Sequence, residues 1–273
     1  MKKLVLALTA VAAFTGSALA ADLPARTYTK APVIVETPSW TGFYLFGGGG
    51  GGLWSADTFT VNPTTGNCVL CAHQNQGGSG YFGTVGAGYD WQFNSKWVTG
   101  FFGDGQFGSL KGTIQDQGPF FVGNEKLRDT WAVGVRLGYL VAPNVLSYVN
   151  AGYTGSNWSG TTMMLAQSVN TTPFVTPSFS SNGWFIGGGV ENNLDIFGIS
   201  APGWFMKTEY RMAYFGATNL TDSVPGGAAV VVVPGLGAFA NPQSSIHFKP
   251  DVETISTSLV YRFNWGGPLV AKY

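Results

Sequence analysis

Polar and apolar residues alternate with a period of two through much of this chain, most cleanly from Trp131 to Val141. Trp131, Val133, Val135, Leu137, Tyr139 and Val141 share one face, against Ala132, Gly134, Arg136 and Gly138 on the other. The last such segment, Asp251 to Phe263, sets Ile255, Leu259, Tyr261 and Phe263 against Ser256, Ser258, Val260 and Arg262. Alternation sustained this long predicts strands whose two faces meet different surroundings. Six further segments carry the pattern or its remnants, 41–55, 80–93, 97–110, 145–159, 182–195 and 203–217, which makes eight in all. Three short turns join them in pairs, at Asn94–Lys96, Ala142–Asn144 and Ile196–Pro202. Four long connections lie between, at 57–78, 111–126, 160–181 and 218–250. Strict alternation of short turns and long loops, with strands of about ten residues, predicts an all-β fold. The expected form is an eight-stranded antiparallel transmembrane β-barrel of the outer-membrane type. The long loops then face away from the cell, and both termini lie in the periplasm.

The start of the chain agrees. Lys2 and Lys3, an apolar run from Leu4 to Phe14 and the small residues Ala18-Leu19-Ala20 read as a secretory signal peptide cleaved after Ala20. Residues 21–40, with Pro24, Pro32 and Pro38 and no sustained period, read as a periplasmic linker. The barrel is expected over 41–263 and a periplasmic tail over 264–273. No later segment holds 18 or more apolar residues in a row, so no transmembrane helix is predicted. Loss of Lys2 and Lys3 leaves two fewer positive than negative charges in a chain that starts with 14 of each. Such a balance argues against a nucleic-acid partner, which needs a basic excess. Charged residues make up only 10% of the chain and aromatic residues 15%, with 40 glycines. Little charge and many aromatic residues suit a wall with one face in lipid.

Charge also decides which face is which. With the apolar faces toward lipid, Asp104, Arg136, Glu191, Lys207, Glu209, Arg211 and Arg262 point into the lumen. The reverse arrangement costs about 2–4 kcal/mol for each Lys or Arg at the bilayer midplane. An eight-stranded barrel has an interior only wide enough for side chains. The seven residues are therefore expected to form a packed, salt-bridged network; the alternative use of the same charges is a narrow path for ions or small solutes.

Candidate chemistry elsewhere is sparse. Cys68 and Cys71, spaced C-x-x-C, predict a disulfide in an exported protein. Free thiols, or redox or metal chemistry with His73 nearby, are the other readings of that spacing. His73 and His247 fall in predicted long loops with no nucleophile motif beside them. Glu191 and Glu209 could do acid–base work, but Lys207, Arg211 and Arg262 are candidate partners that hold them ionised. No enzyme activity, cofactor or metal is expected. The glycines Gly47–Gly52 lack the Lys-Ser/Thr of a phosphate loop and read as a strand that makes room for bulky neighbours. The run Ala228–Val233, between turn signals, reads as a strand of a loop hairpin or as an apolar contact site.

The leader running into ADLPARTYTKAPV, the opening W-T-G-F-Y at Trp40–Tyr44 and the ending SLVYRFNWGGPLVAKY together resemble the small outer-membrane β-barrels of alpha-proteobacteria, the immunogenic or porin-family proteins. The resemblance implies an abundant surface barrel in the outer membrane that contributes to envelope integrity and is exposed to antibodies, and it supplies no catalytic residues. The partners it implies are outer-membrane lipid and lipopolysaccharide, the barrel-assembly machinery and periplasmic chaperones. Host or neighbouring envelope proteins could meet the loops. Tyr261 and Phe263, aromatic at the end of the last strand, look like the signal by which such barrels are recognised for insertion.

Overall fold

The computed structural model describes residues 39–116, 121–165, 174–224, 230–233, 237–240 and 244–263. The leader, nearly all of the linker and the tail lie outside the described residues. In chain order the strands are β1 (Gly42–Val61), β2 (Cys68–Gln92), β3 (Trp97–Asp116), β4 (Phe121–Ala142), β5 (Val145–Ser159), β6 (Thr161–Leu165), β7 (Phe174–Thr176), β8 (Phe179–Asn193), β9 (Trp204–Phe215), β10 (Thr218–Thr221), β11 (Val230–Val233), β12 (Gly237–Ala240) and β13 (Ser245–Arg262). Eight of these form a closed antiparallel ring, β1-β2-β3-β4-β5-β8-β9-β13 and back to β1. Closure removes every free edge from the part of the wall that meets lipid, where an unpaired backbone group has no water to bond. The seam between the first and last strands runs in unbroken register from Tyr44 opposite Arg262 to Val61 opposite Ser245.

The outward face is the apolar one within the membrane. On β4, Val133, Val135, Leu137 and Val141 are between 44% and 62% exposed, while Arg136 between them is 3% exposed. Aromatic residues mark both rims. At the short-turn end Trp97 packs on Tyr139 with ring centroids 5.2 Å apart, and Trp204 on Tyr261 at 5.1 Å. At the other end Trp131 packs on Tyr153 at 5.7 Å and Trp184 on Tyr214 at 4.5 Å. Such girdles belong at the two membrane–water interfaces.

Beyond the second girdle the strands run on, and here the structure departs from the sequence reading. Much of the predicted loops 57–78 and 111–126 is strand: β1 continues to Val61, β2 starts at Cys68, β3 ends at Asp116 and β4 begins at Phe121. The reason is a change of solvent. Above the membrane water is outside, so His73, Asn75, Thr113, Gln115 and Asn124 face out, while Trp54, Leu110, Ile114, Phe121 and Leu127 face in. On β4 a bulge makes the switch. Leu127 pairs with Trp158 and Asp129 with Asn157, leaving Arg128 as an extra residue. Odd-numbered side chains thus point to lipid from Trp131 onward and to the interior from Leu127 back, as an inserted residue requires. β6 prolongs the β5 stave against β4, and β10 prolongs the β9 stave against β13. Val230–Val233 is a strand, β11, paired with β12 in a hairpin of its own.

The glycine run lies in β1 and makes room for neighbours. A Cβ on Gly50 would sit 2.1 Å from the Ile255 carbonyl oxygen and 2.9 Å from the ring of Phe82. Phe82 fills that space, 7% exposed.

Candidate functional site in the barrel lumen

The inward residues of the membrane-spanning staves gather into two ion-pair clusters, to which all eight strands of the ring contribute. Nearer the short turns, Arg136 of β4 donates from Nε to Asp90 Oδ1 of β2 at 2.8 Å and from Nη1 to Glu191 Oε2 of β8 at 3.0 Å. A second donation, from Nη2 to Asp90 Oδ2, makes the contact with Asp90 bidentate, the geometry that suits a guanidinium best. Arg262 of β13 completes the square. Its Nε donates to Glu191 Oε1 and its Nη2 to Asp90 Oδ2, each at 2.8 Å, and its Nη1 to the Trp40 carbonyl at 3.3 Å. Aromatic faces cover the cations: Arg136 lies 4.5 Å over Tyr44 of β1, and Arg262 lies 4.4 Å over Trp40. Trp40 itself lies across the mouth at the short-turn end, held by its Nε1 donating to the Pro143 carbonyl at 3.3 Å and packed on Phe205.

The second cluster lies further along the lumen. Arg211 of β9 donates from Nη1 and Nη2 to the two oxygens of Asp104 on β3, at 2.9 and 2.7 Å, and from Nη2 to Glu209 Oε1 at 2.7 Å. On β5, Tyr148 Oη and Asn150 Nδ2 donate to Glu209 Oε2 at 2.8 and 3.0 Å. Lys207 Nζ stands 3.7 Å from Glu209 Oε2 and 3.4 Å from the centre of the Phe46 ring. Four cations thus meet four carboxylates, none more than 9% exposed. Exact compensation is what allows charge at this depth, since an unpaired buried ion costs several kcal/mol.

All seven sequence-predicted lumen residues stand in these two clusters. The eighth member, Asp90, was not among them, although its inward position on the alternation of β2 marks it. Tyr44, Tyr148 and Trp40 were also missed; rings that cover cations leave no pattern of their own in a chain so rich in aromatic residues.

Toward the long-loop end the lumen turns apolar. Trp54 meets Trp158 at 5.5 Å and Phe248 at 5.7 Å, and Trp158 stacks on Phe179 at 5.7 Å. The indole nitrogens are satisfied, Trp54 Nε1 by the Leu110 carbonyl and Trp158 Nε1 by Ser156 Oγ. Burial of a ring such as Phe248 contributes roughly 1.5–3 kcal/mol. A pocket between Phe82, Gln106, Leu110, Leu127 and Val252 measures about 10 Å³, room for one water.

Above this core sits a buried carboxyl pair. Asp116 accepts from Thr60 Oγ1 at 2.6 Å and from Ser244 Oγ, which lies 3.4 Å from Asp222 Oδ2. Burial first, and then the neighbouring Asp116 carboxylate, push Asp222 up to about 8. Burial likewise raises Glu125, fully enclosed on β4, to about 7.

The remaining predicted residues lie elsewhere. Cys68 and Cys71 are joined by a disulfide at the start of β2. His73 and His247 stand on strands, where loops were expected, and flank Phe59 with ring centroids 4.7 and 4.4 Å away. His73 Nδ1 lies 2.9 Å from the Asp57 carboxylate, and His247 Nδ1 lies 3.0 Å from Asn219 Oδ1. Tyr261 and Phe263 face outward at the short-turn girdle, rings 5.1 Å apart. Among the described residues no group of three or more His, Cys, Asp and Glu gathers where a metal could be held.

The chain is similar to the 31 kDa outer-membrane immunogenic protein of Brucella melitensis, 29% identical over 230 residues that cover 81% of this chain and 90% of that protein. The protein of the same name from Brucella suis matches to the same extent. No family model matches. Among solved structures, the outer membrane protein OprG from Pseudomonas aeruginosa is 11% identical with a TM-score of 0.44, covering 81% of this chain and 97% of that one. Neisserial surface protein A is 13% identical with a TM-score of 0.38, covering 82% and 98%.

Proposed function

We propose that this outer-membrane barrel, a relative of the immunogenic proteins of Brucella, is a non-enzymatic component of envelope structure and surface interaction whose lumen is closed. The observation that carries the reading is the pairing of the charges in the two membrane-level clusters: each of their four carboxylates is met by a guanidinium or ammonium, most of them from another strand. A conducting path needs charges that an ion can address, whereas these address one another. A structural role for the carboxylates is further supported by their separation, Glu191 held by Arg136 and Arg262, Glu209 by Arg211 and Lys207.

The test is conductance of the purified protein in a planar bilayer. No steady current is expected. A reproducible current that changes when Arg136 or Arg211 is replaced by Gln overturns the closed reading and makes the protein a narrow porin for ions or small solutes.

A further inference from the structure

The cations outside the lumen behave differently from those within it. Lys111 and Lys126 stand directly opposite each other across the β3–β4 pairing, both on the outward face. Arg128, exposed at the β4 bulge, is two residues from Lys126. Among the described residues none of the three has a carboxylate partner; the ion pairs belong to Arg136, Lys207, Arg211, Arg262 and His73. The acid next in sequence, Asp129, is taken by Asn157 Nδ2 at 2.5 Å. Like charges placed directly across a sheet repel, and a chain with only 14 Lys and Arg sets three of them here.

Their height says what answers them. Lys111 lies four residues beyond Phe107, which is 60% exposed to lipid, and Lys126 lies five residues from Trp131 at the girdle. At about 3.4 Å per residue and a strand tilt of about 40°, the two ammonium groups stand roughly 10 Å above the aromatic rim. The anions of the outer leaflet lie at that level, on the outside of the wall. Ser79 and Ser159 flank the lysines in register on either side; Ser159 Oγ donates to the Lys126 carbonyl at 3.3 Å, and Ser79 is exposed and offers a hydroxyl. The opposite outward face, on β1 and β13, carries Asp57, Asp251 and Glu253 against Lys249 and offers phosphate no such welcome.

We infer that Lys111, Lys126 and Arg128 form a docking surface for the lipid A phosphates of lipopolysaccharide, seated against the β3–β4 wall. Arg128 supplies a planar fork for phosphate oxygens and the lysines supply point charges. The inference rests on the outer-membrane placement of the barrel and is independent of whether its lumen conducts.

The experiment titrates the delipidated full-length barrel in detergent with bisphosphorylated lipid A, monophosphorylated lipid A and phosphatidylglycerol, for the wild type, K111Q/K126Q/R128Q and K111R/K126R. Heat-modifiable migration reports folding. The wild type should prefer bisphosphorylated lipid A. The triple variant should bind it about a hundredfold more weakly, since each of the three basic residues near an anionic surface contributes about a factor of five, and the Arg variant should bind as the wild type does. A folded triple variant with wild-type affinity overturns the inference, as does equal affinity for the three lipids. Loss of self-association with lipid binding intact also overturns it, assigning the surface to the acidic face of a second barrel. If the triple variant does not fold, the wild-type lipid A affinity must fall steeply with added salt; a flat dependence sinks the idea.

Discussion

Asp222 has an environment that makes a carboxyl group an acid-stabilised latch. It ties the segment after β10 to Asp116 at the end of β3 through Ser244, with all three residues buried. The folded state holds the Asp222 proton up to about pH 8, while the unfolded chain releases it near pH 4. Between those values the folded state binds more protons than the unfolded one, so stability falls as pH rises from about 4 to about 8. Glu125, raised to about 7, acts in the same direction. Hydrogen-exchange protection factors of β10 should therefore be higher at pH 5 than at pH 8, and Asp222→Asn should flatten the difference. Protection that grows with pH would contradict the latch. At this scale the sequence was legible where parity alone decides. Arg136 and Arg262 had to face inward because their neighbours along the strand suit lipid. Their partners were not legible. Asp90 and Arg136 are 46 positions apart and sit on strands separated by β3, so only the closed ring brings them together. The latch was likewise hidden, since both of its acids fell in segments expected to be loops.

Each long stave lives in two solvents, and its side chains are sorted by which one lies outside. The sequence signal for a strand was strongest where lipid makes the outward face apolar. It faded above the membrane, where the outward face is polar and the run of Gln, Thr and Asn resembles a loop. Hence the first predicted strand ended at Ser55, although β1 continues to Val61 and its inward side remains closed by Trp54, Ala56, Thr58 and Thr60. The fourth stave hid its switch in a single extra residue, and period-two counting cannot tell a bulge from a loop. The sorting makes a paired prediction. Leu137→Arg sets a charge on the lipid face of β4 and costs about 2–4 kcal/mol near the midplane, enough to block assembly in vesicles. Thr113→Arg places the same side chain on the outward face of β3 above the membrane, where water receives it, and should assemble normally. Heat-modifiable migration after refolding into lipid separates the two. Equal behaviour of the variants would mean that the boundary between solvents lies elsewhere.

Across the whole molecule the lumen is filled in successive layers. Trp40 lies over the short-turn mouth, the Asp90–Arg136–Glu191–Arg262 cluster follows, then the Asp104–Lys207–Glu209–Arg211 cluster, and finally the Trp54–Trp158–Phe248 core. The layers hold by different forces. Ion pairs depend on exact compensation and fail when one partner is removed, whereas the aromatic layer depends on packed area and fails when rings are cut back. A lesion in one therefore leaves the other standing. Trp54→Ala with Trp158→Ala opens the long-loop end yet keeps both charge clusters, and should remain silent in a planar bilayer. Arg136→Ala with Arg211→Ala loosens the clusters beneath an intact aromatic layer, and should also carry no steady current. The fourfold variant removes both kinds of barrier and should conduct, provided that heat-modifiable migration shows it folded. Steady conduction by the aromatic double variant alone would show that water and ions already pass the charge clusters, and that the aromatic layer is the barrel's single gate.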